Sequence, residues 1–414
     1  MNRSRERRYR YVADSNIPIM DVIVVGGGIT GLTSAYYLSE REGVDVTVCE
    51  QGEAIGHGST PRAAGGMRSM YSTAVHVNLS LRSLEVWNAF EETFGVAIDF
   101  TNHGYLFGVT DRTQYEHLRK DVYMQNQLGA ATEFVSAEEA TEYVPGLNTD
   151  RYTAAAWDPL ASQADPHACL QAFARLARES GTQVLTDHPV TDLLQDATGR
   201  VRGVEIDGGE TELAADCVVN AAGPWGHRIA AMAGVEIPVH PKKRRATILE
   251  PETPLPETAP LVIDLGSGAY FRPWDGDRVL AGGHFESGDP DVDPDRPDSF
   301  EDDVPLDFVE RQLTELEKAA EYFGPEARIV RGWSGVYAIT PSNHPIIEES
   351  VPGLVNNVGH SGRAFMHAPA TGQVAADLVV DGETDLVDTT ALRTDDGRDR
   401  RGQLPIPYRQ DTYS

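Results

Sequence analysis

The chain has 414 residues, enough for two hydrophobic cores rather than one. Its 64 acidic residues face only 35 basic ones, for a net charge of −29, and the only lysines are Lys120, Lys242, Lys243 and Lys318. So negative a surface argues against nucleic acid as a partner, because phosphate contacts need a basic face. Cys49, Cys169 and Cys217 show no paired spacing, so neither a disulfide framework nor a zinc site is indicated, and no metal site is expected. The acids are spread along the chain. That resembles the surface of a protein from a salt-rich cytosol, where a Debye length of ~3 Å at 1 M screens self-repulsion. An ordinary acidic protein with a charged partner is the other reading.

Residues 1–17, with arginines from Arg3 to Arg10, read as a mobile extension. A partner- or membrane-binding arm is the lesser alternative. No apolar run is long enough for a transmembrane helix, and a cytoplasmic protein is expected, with a location peripheral to the membrane as the alternative. Asp21 to Val25 is a continuous apolar, largely β-branched run, the pattern of a strand buried on both faces. It empties into Gly26-Gly27-Gly28-Ile29-Thr30-Gly31, a G-x-G-x-x-G. A helical pattern follows from Leu32 to Glu40, closed by Gly43, and a second strand, Val44 to Cys49, ends on Glu50. Glu50 stands 19 residues beyond Gly31, close to the ~20 expected where an acid accepts the ribose hydroxyls of a dinucleotide. Gly26 permits the tight turn, Gly28 the approach of a pyrophosphate and Gly31 close packing of helix on strand. The helix N-terminus offers its N–H groups to the phosphates.

Small residues dominate Gly58 to Arg68, which lets a backbone lie against a planar ligand. Helix is expected over Val77–Phe94, strand over Phe100–Val109 and polar helix over 112–145. Asp165-Pro166 caps a helix that stops before Gly181. Strands follow at Val190–Leu194, Val201–Ile206 and from Cys217, the last running into Gly223. Short strands at Ala246–Leu249, Ala269–Phe271 and Arg278–Ala281 alternate with proline-rich loops. Pro241 to Arg245 is a basic island, read as a solvated strand edge or, less favoured, a docking site for an acidic carrier. Phe285–Pro305 reads as a solvated acidic loop, since its prolines and lack of a glycine turn defeat an EF-hand. An amphipathic helix covers 308–323. Glycine-rich strands follow over Gly332–Ile347 and Val355–Phe365, then a helix over Gly372–Val380 and a polar, disordered tail from about Asp388.

These motifs together resemble the D-amino-acid oxidase superfamily of flavoproteins, in its sarcosine oxidase and dimethylglycine dehydrogenase-like branch. The resemblance runs from about Met20 to Gly382. It rests on the glycine fingerprint with Glu50, on Ser59 to Arg68, on Asn220-Ala221-Ala222-Gly223-Pro224-Trp225, on Gly335 to Pro341 and on Gly359 to Phe365. It implies a mixed α/β fold: a Rossmann-like FAD-binding domain of glutathione-reductase type, and a substrate domain on a mixed, largely antiparallel sheet. The FAD domain is expected to be discontinuous (18–95, 151–235 and 331–385), with the substrate domain from 96–150 and 236–330 and a polar tail over 386–414. Implied cofactor contacts are Gly26, Gly28, Ile29, Thr30, Gly31, Glu50 and Gln51; Ser59, Thr60, Arg62, Gly65, Gly66 and Met67; Val190, Ala222, Gly223 and Trp225; Gly335; and Gly359, Gly362, Arg363, Ala364, Phe365 and Met366.

By the same resemblance Arg68 binds a substrate carboxylate, with Tyr270, His284 and Tyr337 around it; guanidinium pairs bidentately with carboxylate. The departures are informative. Gly335 stands where covalent flavoenzymes of this branch carry the linking cysteine, so FAD is expected to be held non-covalently. Leu280 stands where the oxidases place an oxygen-activating lysine, and Met366 where they place a second carboxylate-binding lysine. The implied reaction is hydride transfer from a small secondary or tertiary amine or amino acid (N-methyl, cyclic or D-) to flavin N5, followed by imine hydrolysis. Electrons would leave through a flavoprotein, quinone or iron–sulfur carrier. A peroxide-producing oxidase, a 2-hydroxy acid dehydrogenase and an accessory flavin subunit stay open.

Overall fold

The computed structural model describes residues 19–285, 290–300 and 302–394. The expected N-terminal extension lies outside them, as does the tail beyond 394. Two sheets organise the described chain. The first has six strands in the order Ile346–Val351, Leu354–Val358, Cys217–Asn220, Met20–Val25, Val44–Cys49 and Gln183–Leu185. All neighbours pair in parallel except the edge strand Ile346–Val351. The opening run is buried on both faces because each face has its own cover. Val22 and Val24 pack with Ala35 and Leu38 of helix Ile29–Ser39 and Ala376 of helix Ala364–Val380. Ile23 and Val25 pack with Leu193, Val201 and Val204 of a three-stranded antiparallel sheet, Val190–Gln195, Val201–Ile206 and Thr211–Ala214. The two helices approach closely: a Cβ on Gly372 would lie 2.7 Å from Thr33 Oγ1.

The second sheet has eight strands, in the order Arg328–Ile339, His240–Glu250, Val279–Gly283, Ala269–Pro273, Leu261–Asp264, Tyr105–Val109, Ala154–Asp158 and Glu133–Val135. Only Leu261–Asp264 with Tyr105–Val109 is a parallel pair. On one face Phe271, Val279 and Ala281 pack under Phe308 and Leu316 of helix Leu306–Ala319. On the other face Tyr105, Phe107 and Ile263 pack with Met70, and with Leu118 and Val122 of helix Arg112–Gln127. This is the mixed α/β architecture anticipated. Two of its strands depart from the sequence-derived division: Ala154–Asp158 lies within 151–235 and Arg328–Ile339 spans the boundary at 330, yet both belong to the eight-stranded sheet.

Several boundaries move, each for a local reason. The first helix begins at Ile29, not Leu32, so Gly31 sits in its first turn. The segment 112–145 is not one helix. Gly129, at φ +101°, ends it, and Glu133–Val135 pairs with the Ala154–Asp158 strand, a tertiary pairing with no periodic signal. The last helix starts at Ala364 and runs through Pro369, eight residues before the predicted Gly372. From Asp388 to Thr394 the chain is ordered, the Asp388 carboxylate accepting the Thr390 N–H, because Val387 and Leu392 are buried against Val374 and Ile347. The basic island is not a solvated edge. It lies on His240–Glu250, paired along its length with Arg328–Ile339 and bonded on its other side to Pro290 and Val292, with Lys243 and Arg244 each 7% exposed. The acidic segment answers it: Lys242 pairs with Asp291 at 3.1 Å and Lys243 with Asp303 at 2.7 Å.

Candidate active site

The glycine turn is built to its residues. Gly26 has φ +109°, and a Cβ there would meet Ala221 O at 2.6 Å. A Cβ on Gly31 would lie 1.9 Å from Gly26 O, so only glycine lets the helix sit this close to the strand. Gly28 differs: within the protein its Cβ would meet nothing nearer than Thr60 Oγ1 at 3.5 Å. The space beside it is a cavity of about 350 Å³. Glu50 closes the second strand with both carboxylate oxygens accepting backbone N–H groups, Gly27 at 2.6 Å and Gly52 at 2.8 Å. Of the expected cofactor contacts, Gly26, Gly28, Ile29, Thr30, Glu50, Gln51, Ser59, Thr60, Val190, Ala222, Gly223, Trp225 and Ala364 line this cavity.

A second cavity, about 110 Å³, opens toward the eight-stranded sheet. It shares Ile29, Thr30, Ser59, Thr60, Gly223 and Ala364 with the first, and Arg62, Gly335, Gly362, Phe365, Tyr270 and Tyr337 complete it. The segment between them is clamped to both sheets. Thr60 Oγ1 accepts the Ile29 N–H at 3.1 Å, Ser59 Oγ donates to Val336 O at 2.7 Å, Trp333 Nε1 donates to Arg62 O at 2.9 Å and Arg272 Nη2 donates to Ala64 O at 2.8 Å. Arg62 itself pairs with Asp302 at 2.8 Å. The groove joins a nucleotide-type turn to a pocket walled by small residues on one hand and by Tyr270, Trp333, Tyr337 and Phe365 on the other, which suits an extended dinucleotide bearing a planar ring system. The residues present fit FAD.

Nine expected residues line neither cavity. Gly31 serves packing, as above. Gly65, at φ +77°, approaches Ala164 O, Gly66 lies against the Tyr105 hydroxyl, and Met67 is fully buried. Gly359 lies against Thr340. Arg68, 5% exposed, is stacked among Tyr71, Tyr105 and Phe107, with Cζ at 4.6, 5.9 and 5.5 Å from the ring centroids. Arg363 stands over the same Tyr71 ring at 5.3 Å and donates to Asn343 O and Ser361 O. The Tyr71 hydroxyl donates to Met366 Sδ. Asp158, fully buried, holds the neighbour of Arg68 by accepting both the N–H and the hydroxyl of Ser69 at 2.8 Å. His284 lies between Tyr270 and Tyr337, its ring 6.1 and 6.3 Å from theirs. The four candidate catalytic residues therefore converge on one region: Tyr270 and Tyr337 on the cavity wall, His284 between them and Arg68 behind.

Burial raises the hydroxyl pKa of Tyr270 and Tyr337 and pushes Tyr105 up to about 12, so these phenols stay protonated at neutral pH. Arg244 is a cavity residue the sequence reading missed; its guanidinium stands 5.4 Å from the Tyr337 ring. Arg245 and Ala246, the next residues on the strand, also border this cavity, so strand alternation alone does not single out Arg244. His360, in the quoted late motif, also lines the cavity.

His360 is pulled down from 6.5 to about 4 by burial, and His76 and His367 are held well below 6.5 by burial and then Arg363. A histidine with a depressed folded pKa contributes stability that is present above its unfolded pKa and lost as pH falls toward the folded one. Unfolding in urea should therefore show a loss between about pH 7 and about pH 5, on the order of 2 kcal/mol from His360 alone. His360→Asn should remove that part of the dependence. An identical pH profile in the variant would clear His360 of the effect.

Residues 21–378 match the family model described as DAO, FAD dependent oxidoreductase. The crystal structure of L-proline dehydrogenase from P. horikoshii superposes with a TM-score of 0.79 at 31% identity, covering 89% of this chain and 95% of that one. The glycine oxidase of Geobacillus kaustophilus is 28% identical over 375 residues, 88% of this chain and 94% of its own. FAD-dependent oxidoreductase domain-containing protein 1 of Xenopus laevis is 27% identical over 408 residues, 87% of this chain and 79% of its own. The chain is also related to human sarcosine and dimethylglycine dehydrogenases. These homologues are FAD-dependent oxidoreductases, and the named substrates among them are amino acids or amines. Since that family model spans both sheets and every segment that walls the two cavities, this protein belongs to the DAO family of FAD-dependent oxidoreductases.

Proposed function

We propose that the chain oxidises a small amino acid whose nitrogen is secondary or tertiary, as in a cyclic or N-methyl amino acid. The observation that carries this reading is the pair of buried guanidinium groups, Arg68 and Arg363, over the one Tyr71 ring. Two fixed cations beside a pocket with aromatic walls match a substrate carboxylate. The likeness to L-proline dehydrogenase supports a cyclic secondary amine, and D-amino acids, whose nitrogen is primary, are the further candidates.

Bound along the two cavities, FAD would supply a two-electron acceptor for hydride from the carbon beside nitrogen. The chain's own residues do the rest. Arg68 and Arg363 orient the carboxylate, and Tyr270, Tyr337 and His284 enclose the amine. Desolvation by these walls favours the neutral amine that hydride loss requires. Gly335 offers no thiol, which supports non-covalent FAD, and Glu50 is positioned for the ribose end. The six-stranded sheet with its helices serves as the FAD domain and the eight-stranded sheet as the substrate domain. With Leu280 apolar, electrons pass to a flavoprotein, quinone or iron–sulfur carrier rather than to oxygen. The acid excess suits a salt-rich medium, as in a halophilic archaeon.

Anaerobic mixing with L-proline, N-methylglycine, glycine, D-amino acids and 2-hydroxy acids tests this reading. Secondary amino acids should bleach the flavin and 2-hydroxy acids should not. Bleaching by a 2-hydroxy acid alone would replace the amine reading, and no bleaching by any compound would leave an accessory flavin subunit. Peroxide released in air in proportion to substrate would make it an oxidase.

A further inference from the structure

We propose that Arg272 is a buried cation behind the wall of the flavin site, a positioning residue whose charge raises the reduction potential of bound FAD. The inference rests on the FAD reading above. Arg272 lies on Ala269–Pro273, two residues beyond Tyr270, so both point to the same face of the sheet. Tyr270 lines the second cavity, and so does Ala64, whose carbonyl oxygen accepts from Arg272 Nη2 at 2.8 Å. The other guanidinium contacts are Pro273 O at 3.0 Å and the face of Trp274, 4.7 Å from Cζ.

The charge has no acid to answer it. Arg272 is 6% exposed, its Nε has no hydrogen-bond partner, and no carboxylate among the described residues pairs with it. Arg151, another largely buried arginine, pairs with both Asp264 and Glu315. Arg272, like Arg363, is a guanidinium buried with no carboxylate among the described residues paired to it, and a buried charge is costly unless something anionic compensates it. Burial lowers its pKa only to about 10, so it stays charged at neutral pH. Arg68 and Arg363 are already assigned to the substrate carboxylate. No acidic side chain among the described residues lines the second cavity. The remaining anion is the one that turnover creates: hydride transfer moves two electrons and one proton from substrate carbon to the cofactor, adding one negative charge there and leaving the substrate as an iminium. A fixed guanidinium just behind the wall, in a site shielded from water, lowers the free energy of that added charge.

Dye-coupled redox titration of the FAD-loaded protein tests the assignment, on wild type, R272Q, R272K and L280E. Leu280 is the cross-strand partner of Arg272, so L280E sets a carboxylate opposite the guanidinium while leaving the Ala64 contact in place. Arg272→Gln and Leu280→Glu should each disfavour reduction by about tenfold, about 30 mV for a two-electron couple, and Arg272→Lys should stay within about threefold of wild type. If R272Q does not fold, L280E and R272K decide. An unchanged potential in R272Q or L280E, or a fall in R272K as large as in R272Q, overturns the proposal and leaves Arg272 a clamp on Ala64. A wild-type protein that retains no flavin overturns the FAD reading itself.

Discussion

Gly28→Val yields a folded protein that no longer retains FAD. Gly28 caps the first helix in an extended conformation, φ −80° and ψ 178°, which valine adopts readily. Its Cβ would meet only Thr60 Oγ1, at 3.5 Å, so the protein pays no steric penalty. The two added methyl groups would instead enter the cavity at the helix N-terminus, where a pyrophosphate must approach the backbone. Affinity should drop by about a thousandfold or more, about 4 kcal/mol, read as flavin absorbance per protein after desalting. The thermal midpoint of the apoprotein should hardly move. Gly31→Ala makes the contrast, because its Cβ would stand 1.9 Å from Gly26 O and the fold itself should weaken. Full yellow colour in G28V would sink the assignment of this turn.

Arg68→Ala should raise KM for carboxylate substrates by about a hundredfold, about 3 kcal/mol, the upper range for a hydrogen-bonded charge pair. Amines that lack the carboxylate should be oxidised by variant and wild type at similar rates, since for them Arg68 contributes no pairing. Arg68→Lys should recover only part of the loss, as an ammonium cannot make the two parallel hydrogen bonds of a guanidinium. Because Arg68 is buried among three aromatic rings, truncation also leaves a hole and should lower stability. The two effects separate through the substrates: only the loss of pairing distinguishes carboxylates from simple amines. An unchanged KM would remove Arg68 from the binding site.

Much of the nucleotide end was legible without coordinates. The β-branched run, the three glycines and the acid that follows are consecutive in sequence, and each works through backbone geometry or its nearest neighbours. Asp165 is similar: its carboxylate accepts the Ala168 N–H at 2.6 Å, the local capping bond its position before Pro166 foretold. The strand through Lys242 to Arg245 was misread for the opposite reason. A run of charges carries no mark of which neighbours a strand will find, and here Asp291 and Asp303 come from a distant loop.

What the chain alone determined is therefore the local chemistry: a fingerprint turn shaped by glycines, an apolar strand, capped helices and a surface dominated by acids. The tertiary structure decided which distant groups share a space. It set Arg363 over the same ring as Arg68, turned Arg244 into the cavity and left Arg272 buried with no acid beside it. The physical reason is range. Backbone conformation and capping act over a few residues, whereas desolvation and charge pairing depend on packing between segments tens to hundreds of residues apart.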